Sequence, residues 1–324
     1  MTPREIVQRT LDYEYPDRVA RSFDGPDMAF CGSTAKTHAT DWSKVGPSRW
    51  ERIDEWGNRW GRVDPTSKGE VVQGVLATLA DMDNYAFPDF SDAADYENVR
   101  AARAAHPDQY LVGGLPGMAF NITRKLRRLD AYFMDLMESR DRIHALHDRV
   151  DAMLEDMIRN FAAAGTDAVM ITEDWGTQQA LLIDPGLWRE EFFPRFERLC
   201  GLAKSLGQSV WMHSCGKIEV IVPGLMEAGV DLLQFDQPEL HGLENLAAHQ
   251  GRGRITFWCP VDIQKVLPLG DEALIRARAR EMLDTLWRGR GGFIAGYYGD
   301  NASIGVDPAW QAWASETFVE YGVA

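Results

Sequence analysis

The stretch Ser209-Val210-Trp211-Met212-His213-Ser214-Cys215-Gly216-Lys217 carries the residue types best suited to chemistry. It reads as a short strand, and side chains alternate along a strand. Val210 and Met212 therefore share one face, and Trp211, His213 and Cys215 the other. A neutral imidazole beside a thiolate forms half of a tetrahedral zinc site. Gly216 breaks the strand and a helix opens near Ile218, so the pair sits at the C-terminal end of a strand, where α/β proteins build their sites. His and Cys are also ordinary core residues. The metal reading therefore draws its weight from the surroundings.

Those surroundings are polar. One strand candidate ends in Thr172-Glu173-Asp174-Trp175-Gly176-Thr177-Gln178, the next in His213 and Cys215, then come Asp236-Gln237, Trp258-Cys259-Pro260-Val261-Asp262 and Tyr297-Tyr298-Gly299-Asp300-Asn301. His, two Cys and several carboxylates on neighbouring strand ends favour zinc. Each residue also has a structural reading. Glu173 and Asp174 could cap a helix or pair with an arginine, Cys259 could fill a turn before Pro260, Asp262 could cap a helix, and Gln237 could satisfy loop backbone. Their shared placement carries the argument.

Composition narrows the classes. The chain has 324 residues, 45% of them hydrophobic and 26% charged, enough for a full core in one large or two ordinary domains. A net charge of -15 argues against nucleic acid as a partner. Cys31, Cys200, Cys215 and Cys259 are too widely spaced to suggest a disulfide framework. The polar start MTPREIVQRT has no apolar signal core, and no apolar run approaches the roughly 20 residues that span a bilayer. A cytoplasmic protein without membrane contact is expected.

The elements that must position the polar residues alternate in type. Thr2-Pro3-Arg4-Glu5 opens a helix with a capping box, and Ile6, Val7 and Leu11 give it an apolar side. Arg18 to Phe23 reads as the first strand. From Met28 to Val63 the pattern is irregular, punctuated by Trp42, Trp50, Trp56 and Trp60, with a hairpin over Glu55 to Gly61. Residues 26–100 are read as a partly irregular N-terminal insertion, either a lid or a cover for one end of a barrel. Further strands are expected at Tyr110–Gly113, Ala168–Thr172, Ser209–His213, Asp231–Phe235, Arg254–Trp258 and Gly292–Ala295. Helices are expected over Arg140–Ala164, Leu187–Leu206, Ile218–Ala228, Glu272–Trp287 and Pro308–Tyr321, most of them ending at glycine. With one poorly marked strand, eight units give a single (β/α)₈ TIM barrel over residues 1–324 with an N-terminal extension. A doubly wound sheet is the rival, and neither a G-x-G-x-x-G nor a Walker loop supports it.

Asp174-Trp175-Gly176-Thr177-Gln178, Asp184-Pro185 with Trp188-Arg189, His213-Ser214-Cys215-Gly216, and Val261-Asp262-Ile263-Gln264 with Leu267-Pro268 together resemble the uroporphyrinogen decarboxylase superfamily. Within it, the likeness is to the corrinoid-dependent methyltransferase branch. The resemblance runs from Pro16-Asp17-Arg18-Val19 to Gly291-Gly292-Phe293-Ile294 and implies a (β/α)₈ barrel. The decarboxylase itself has an arginine motif close to M-R-Q-A-G-R-Y. Arg21 to Phe30 has no such run. In the thiol-methylating branch, residues matching His213 and Cys215 hold zinc with a third ligand, a Cys after the last strand. Here that strand runs Phe293-Ile294-Ala295-Gly296-Tyr297-Tyr298, without Cys. Cys259 and Glu173 are the first candidates to complete the set, and Asp174 the next.

The resemblance implies a methyltransferase that moves a methyl group between a small-molecule thiol, ether or amine and a corrinoid carried by a partner protein, assisted by zinc on His213 and Cys215; Cys259 is taken as the third ligand, and the alternative is that the metal is absent. Asp174, Glu173 and Tyr297 are the catalytic candidates. Trp175, Gln178, Gln237, Trp258 and Tyr298 are the substrate-binding candidates, the aromatics suited to an apolar methyl donor. The alternative is a lyase decarboxylating a small carboxylated substrate, with Asp174 as acid or electrostatic stabiliser. A third reading is a non-catalytic binding protein on a retained barrel.

Overall fold

The computed structural model describes residues 1–324. Twelve strands form two sheets: β1 Ala20–Arg21, β2 Met28–Cys31, β3 Ser43–Gly46, β4 Arg49–Ile53, β5 Arg59–Arg62, β6 Glu70–Gln73, β7 Tyr110–Leu115, β8 Ala168–Thr172, β9 Ser209–His213, β10 Leu232–Gln234, β11 Thr256–Cys259 and β12 Phe293–Ala295. Eight of them lie in the order β1-β12-β11-β10-β9-β8-β7-β2, all parallel, and make an α/β TIM barrel. The doubly wound alternative is excluded by this curved row, whose two ends are strands consecutive in the chain.

Helix α1 (Pro3–Asp12) starts at the expected capping box, with Glu5 N donating to Thr2 Oγ1 at 3.2 Å and Thr2 N to Glu5 Oε2 at 2.8 Å. Its Ile6, Val7 and Leu11 pack with Ala20, Met28, Tyr110, Ala168, Trp211, Leu232 and Ile294. Those strand residues all alternate onto one face, so α1 plugs the barrel end opposite the site. The outer helices are α2 Glu97–Ala105, α3 Ala119–Arg127, α4 Leu129–Glu138, α5 Arg140–Ala163, α6 Pro185–Glu191, α7 Phe193–Ser205, α8 Val222–Ala228, α9 Leu243–Arg252, α10 Glu272–Met282, α11 Asn301–Ile304 and α12 Pro308–Tyr321. The helix expected over Leu187–Leu206 is two, divided at Phe192, because Pro194 lacks an N–H for an unbroken ladder and suits the first turn of α7. The helix expected to reach Trp287 is regular only to Met282 and finishes in a π turn.

Within residues 26–100, Met28–Cys31 is a barrel strand, the poorly marked one. It is short and follows β1 without an intervening helix, so it gave no βα rhythm. The added structure is the antiparallel sheet β3-β4-β5-β6. Its central turn depends on Asp54, which accepts from Trp56 N (3.0 Å), Asn58 N (2.8 Å), Asn58 Nδ2 (3.0 Å) and Trp60 Nε1 (2.7 Å). Two tethers attach the sheet around the barrel mouth. Lys68 pairs with Asp300 after β12, and Leu76 N bonds Leu126 O of α3 at 3.0 Å.

No ladder joins β1 to β2, and Asp27 bridges that seam instead. Its fully buried carboxylate takes two bonds from Arg18 (2.8 and 2.6 Å) and one from Arg21 N (2.9 Å), while its backbone bonds Arg21 O and Tyr110 N. Removing one partner of a buried pair strands the other charge. Asp27→Ala is expected to lower stability by about 3 kcal/mol, read from the urea midpoint. A loss under about 1 kcal/mol would show that the seam closes without it.

Candidate metal centre

Parity along the strands decides what meets at the mouth. Thr172, His213, Gln234, Trp258 and Ile294 stand level in register on β8 to β12 and face inward. Two residues further on, Asp174 and Cys215 face the same way. Asp174, His213 and Cys215 bring one donor atom each to within 4.8 Å of one another. Cys215 Sγ lies 3.4 Å from His213 Nε2, and Asp174 Oδ1 lies 3.6 Å from the same nitrogen. A tetrahedral zinc with bonds of about 2.0–2.3 Å has donor–donor edges of about 3.3–3.8 Å. The donor types suit zinc and these two edges match that spacing, which leaves a fourth position for a substrate.

The surrounding bonds hold these donors in place. His213 Nδ1 is hydrogen-bonded to Gln234 Oε1, which turns Nε2 toward Cys215 and Asp174. Gln234 Nε2 donates to Asp236 Oδ1 at 2.8 Å, fixing the amide orientation. Asp174 Oδ1 accepts from Cys215 N at 3.0 Å, and Arg124 of α3 stands 3.6 Å from Asp174 Oδ2. Burial first, then the Asp174 and Asp236 carboxylates, push the Cys215 thiol up to about 12. In metal-free protein it is protonated at neutral pH, and a cation would displace that proton. Gly216 has φ +76 and stands against Gly176, whose backbone an added Cβ would meet at 2.3 Å. That contact locks the Cys215 loop against the Asp174 loop.

Several expected site residues lie elsewhere. Cys259 does not join the ligand group. Trp258 faces inward, so its neighbour Cys259 faces the outer core, fully buried, where burial pushes its thiol well up. Glu173 points outward for the same reason, and its carboxylate accepts from Met118 N (2.9 Å) and Asn121 N (2.8 Å) at the start of α3. Trp175 is fully buried against Phe120 (4.2 Å between ring centres) and Phe192 (4.8 Å), which makes it a core residue and not a substrate contact. Tyr297 lines a cavity against α12, on the helix side of β12, and its hydroxyl accepts from Asn301 Nδ2 at 3.2 Å. Tyr298 is clamped through its backbone by Gln311 (2.8 and 2.7 Å) and neighbours Lys68. Gln178 and Gln237 meet at the rim, 3.5 Å apart. Trp258 does face the barrel interior, stacked on the half-exposed Phe30 at 5.7 Å.

A family model and one solved structure agree with this architecture. The family model described as Uroporphyrinogen decarboxylase (URO-D) matches residues 63–306. The chain belongs to the uroporphyrinogen decarboxylase family. A solved methyltransferase from Methanosarcina mazei has the same fold at TM-score 0.58 and 14% identity, with 99% of this chain and 86% of that one covered. A D-psicose 3-epimerase from Clostridium cellulolyticum H10 matches at TM-score 0.45 and 10% identity over 75% of this chain and 86% of its own. No curated protein matches the sequence. No helix is long and apolar enough to cross a membrane.

Within this family member, three site residues had not been singled out. Gln234 was legible in principle, since it lies two residues before Asp236 on the same strand face. Phe30 was hidden by the unread β2. Arg124 lies on a helix outside every strand-end pattern, and nothing in its local sequence marks it.

Two outcomes follow from this geometry. Gln234→Leu is expected to weaken zinc affinity 10- to 100-fold in a competitive chelator titration, because the His213 ring loses its orientation. An unchanged affinity would exclude the positioning role. Burial pushes Glu173 up to about 8, partly offset by Arg124 and the Asn121 amide, from an ordinary value of 4.5. Between those values the folded state holds one more proton than the unfolded chain, so rising pH costs stability. Glu173→Gln should therefore gain stability relative to wild type as pH rises from 5 to 8, measured by urea unfolding at both ends. A constant difference would place the Glu173 titration below that range.

Proposed function

We propose that this chain is a methyltransferase moving a methyl group between a small-molecule thiol, methyl ether or amine and a corrinoid protein, with zinc on Asp174, His213 and Cys215. The observation that carries the reading is the convergence of those three donors within 4.8 Å, with the His213 tautomer set by Gln234. Family membership and the fold shared with the Methanosarcina mazei methyltransferase agree with it.

Zinc at this site would turn a substrate thiol into a thiolate, or polarise the heteroatom that leaves a methyl group. The protein's own groups do the rest. Gln234 and Asp236 hold the imidazole, so its Nε2 lone pair needs no reorientation on binding. Arg124 offsets charge on Asp174. Phe30 and Trp258 give the mouth an aromatic wall beside the ligands, which keeps water from part of the reacting zone and suits an apolar methyl-bearing group.

The test is metal content followed by turnover. About one zinc per chain is expected after reconstitution, and Cys215→Ala should lose it. Transfer of methyl from methylcobalamin to 2-mercaptoethanol should then fall at least about 100-fold in the same variant. Wild-type protein that takes up no added zinc would sink the reading. The Arg124–Asp174 pair favours one alternative, a carboxy-lyase on a small carboxylated substrate. It requires carbon dioxide release that Asp174→Asn abolishes.

A further inference from the structure

A cleft of about 550 Å³ opens between the inserted sheet and helices α3 and α4. Trp60 and Phe133 supply its apolar surface, and Arg124, Lys125 and Arg128 its cations. Its walls are fixed. Arg127 donates to Leu76 O (2.6 Å) and Ala77 O (2.7 Å), and Gly74 sits so close to α3 that a Cβ would meet Leu126 O at 2.2 Å. The sheet therefore cannot slide away from the helix without breaking buried contacts.

Two of the cations are committed and one is not. Arg124 bonds Asn121 Oδ1 at 3.0 and 2.8 Å and stands 3.6 Å from Asp174, so one guanidinium borders both the cleft and the metal ligands. Arg128 pairs loosely with the exposed Asp130 at 3.5 Å. Lys125 is partly buried and makes no hydrogen bond or ion pair, its ammonium standing 5.9 Å from the centre of the Trp60 ring. Water solvates this ammonium, and an entering anion would replace that water with a charge-assisted bond. Arg124 faces Asp174 and Arg128 faces Asp130, which leaves Lys125 as the cation of the cleft without a carboxylate in salt-bridge reach.

We infer that this cleft binds a monoanionic group of the substrate, a carboxylate in chemical class, through Lys125 and the shared Arg124, while the reacting heteroatom lies at the metal centre. One unpaired ammonium fits a carboxylate better than a phosphate dianion. The inference rests on the metal centre being the reaction centre, as proposed above.

Titration calorimetry on the full chain separates the two ideas. In zinc-loaded protein, 3-mercaptopropionate should bind at least about tenfold tighter than neutral 2-mercaptoethanol, the size of one charge-assisted contact. Lys125→Met should cut that preference to about threefold or less with zinc content unchanged, and Arg128→Gln should reduce it in part. A ratio near one, or a ratio untouched by Lys125→Met, would overturn the assignment. Chelator-treated protein titrated with propionate tests the cleft without the metal. Saturable binding in wild type, lost in Lys125→Met, supports the cleft even if zinc never binds, and no saturable binding overturns it. Inorganic phosphate binding more tightly than propionate would overturn the carboxylate class.

Discussion

Eight short parallel strands closed around one axis leave each strand a single inward face, and two residues beyond the strand end still obey that parity. The candidate metal centre is a product of this constraint. His213 and Gln234 are register partners on adjacent strands, so the amide reaches the imidazole without any loop having to fold over it. Asp174 and Cys215 follow two residues after level positions on β8 and β9. The same parity sends Glu173, Trp175 and Cys259 outward, where they cap a helix, fill the aromatic core and pack against β12.

The mouth carries more charge than a core could tolerate. Each group there has a partner or a position that balances it. Asp236 holds Gln234, Arg124 faces Asp174, and Lys68 reaches down from the inserted sheet to Asp300. The cost of assembling polar donors is offset by a rigid frame: α1 closes the far end of the barrel, and the Gly176–Gly216 contact binds two ligand-bearing loops together. The inserted sheet adds a second wall, with Trp60 and Lys125 meeting across it close to Arg124. A small molecule spanning from Asp174, His213 and Cys215 to that wall would touch both the barrel and its addition.

Much of the fold was legible because the βα rhythm after Gln109 is regular and its boundaries are punctuated by glycines. Ala168–Thr172, Ser209–His213 and Pro308–Tyr321 stand where the pattern put them. β2 was not legible, since four residues separated from helix α2 by the whole inserted sheet carry too little periodicity. The break at Phe192 was written in Pro194 but overridden by the apolar pattern on both sides. In the site, His213, Cys215 and Asp174 could be read as strand-end residues, whereas the choice among Asp174, Glu173 and Cys259 could not be made from polarity alone.

What the sequence by itself determined is therefore the class of fold, the family and the strand end from which the chemistry is built, because periodicity and short motifs are local properties. Only the tertiary structure decided which residues share that end. Inward parity beyond a strand terminus, the register that sets Gln234 beside His213, and the arrival of Arg124 from a helix and Lys68 from an inserted sheet all depend on how distant segments close around the axis. Chain spacing carries no distance across a barrel mouth, so the donor set and the cationic cleft beside it became visible only once the barrel was closed.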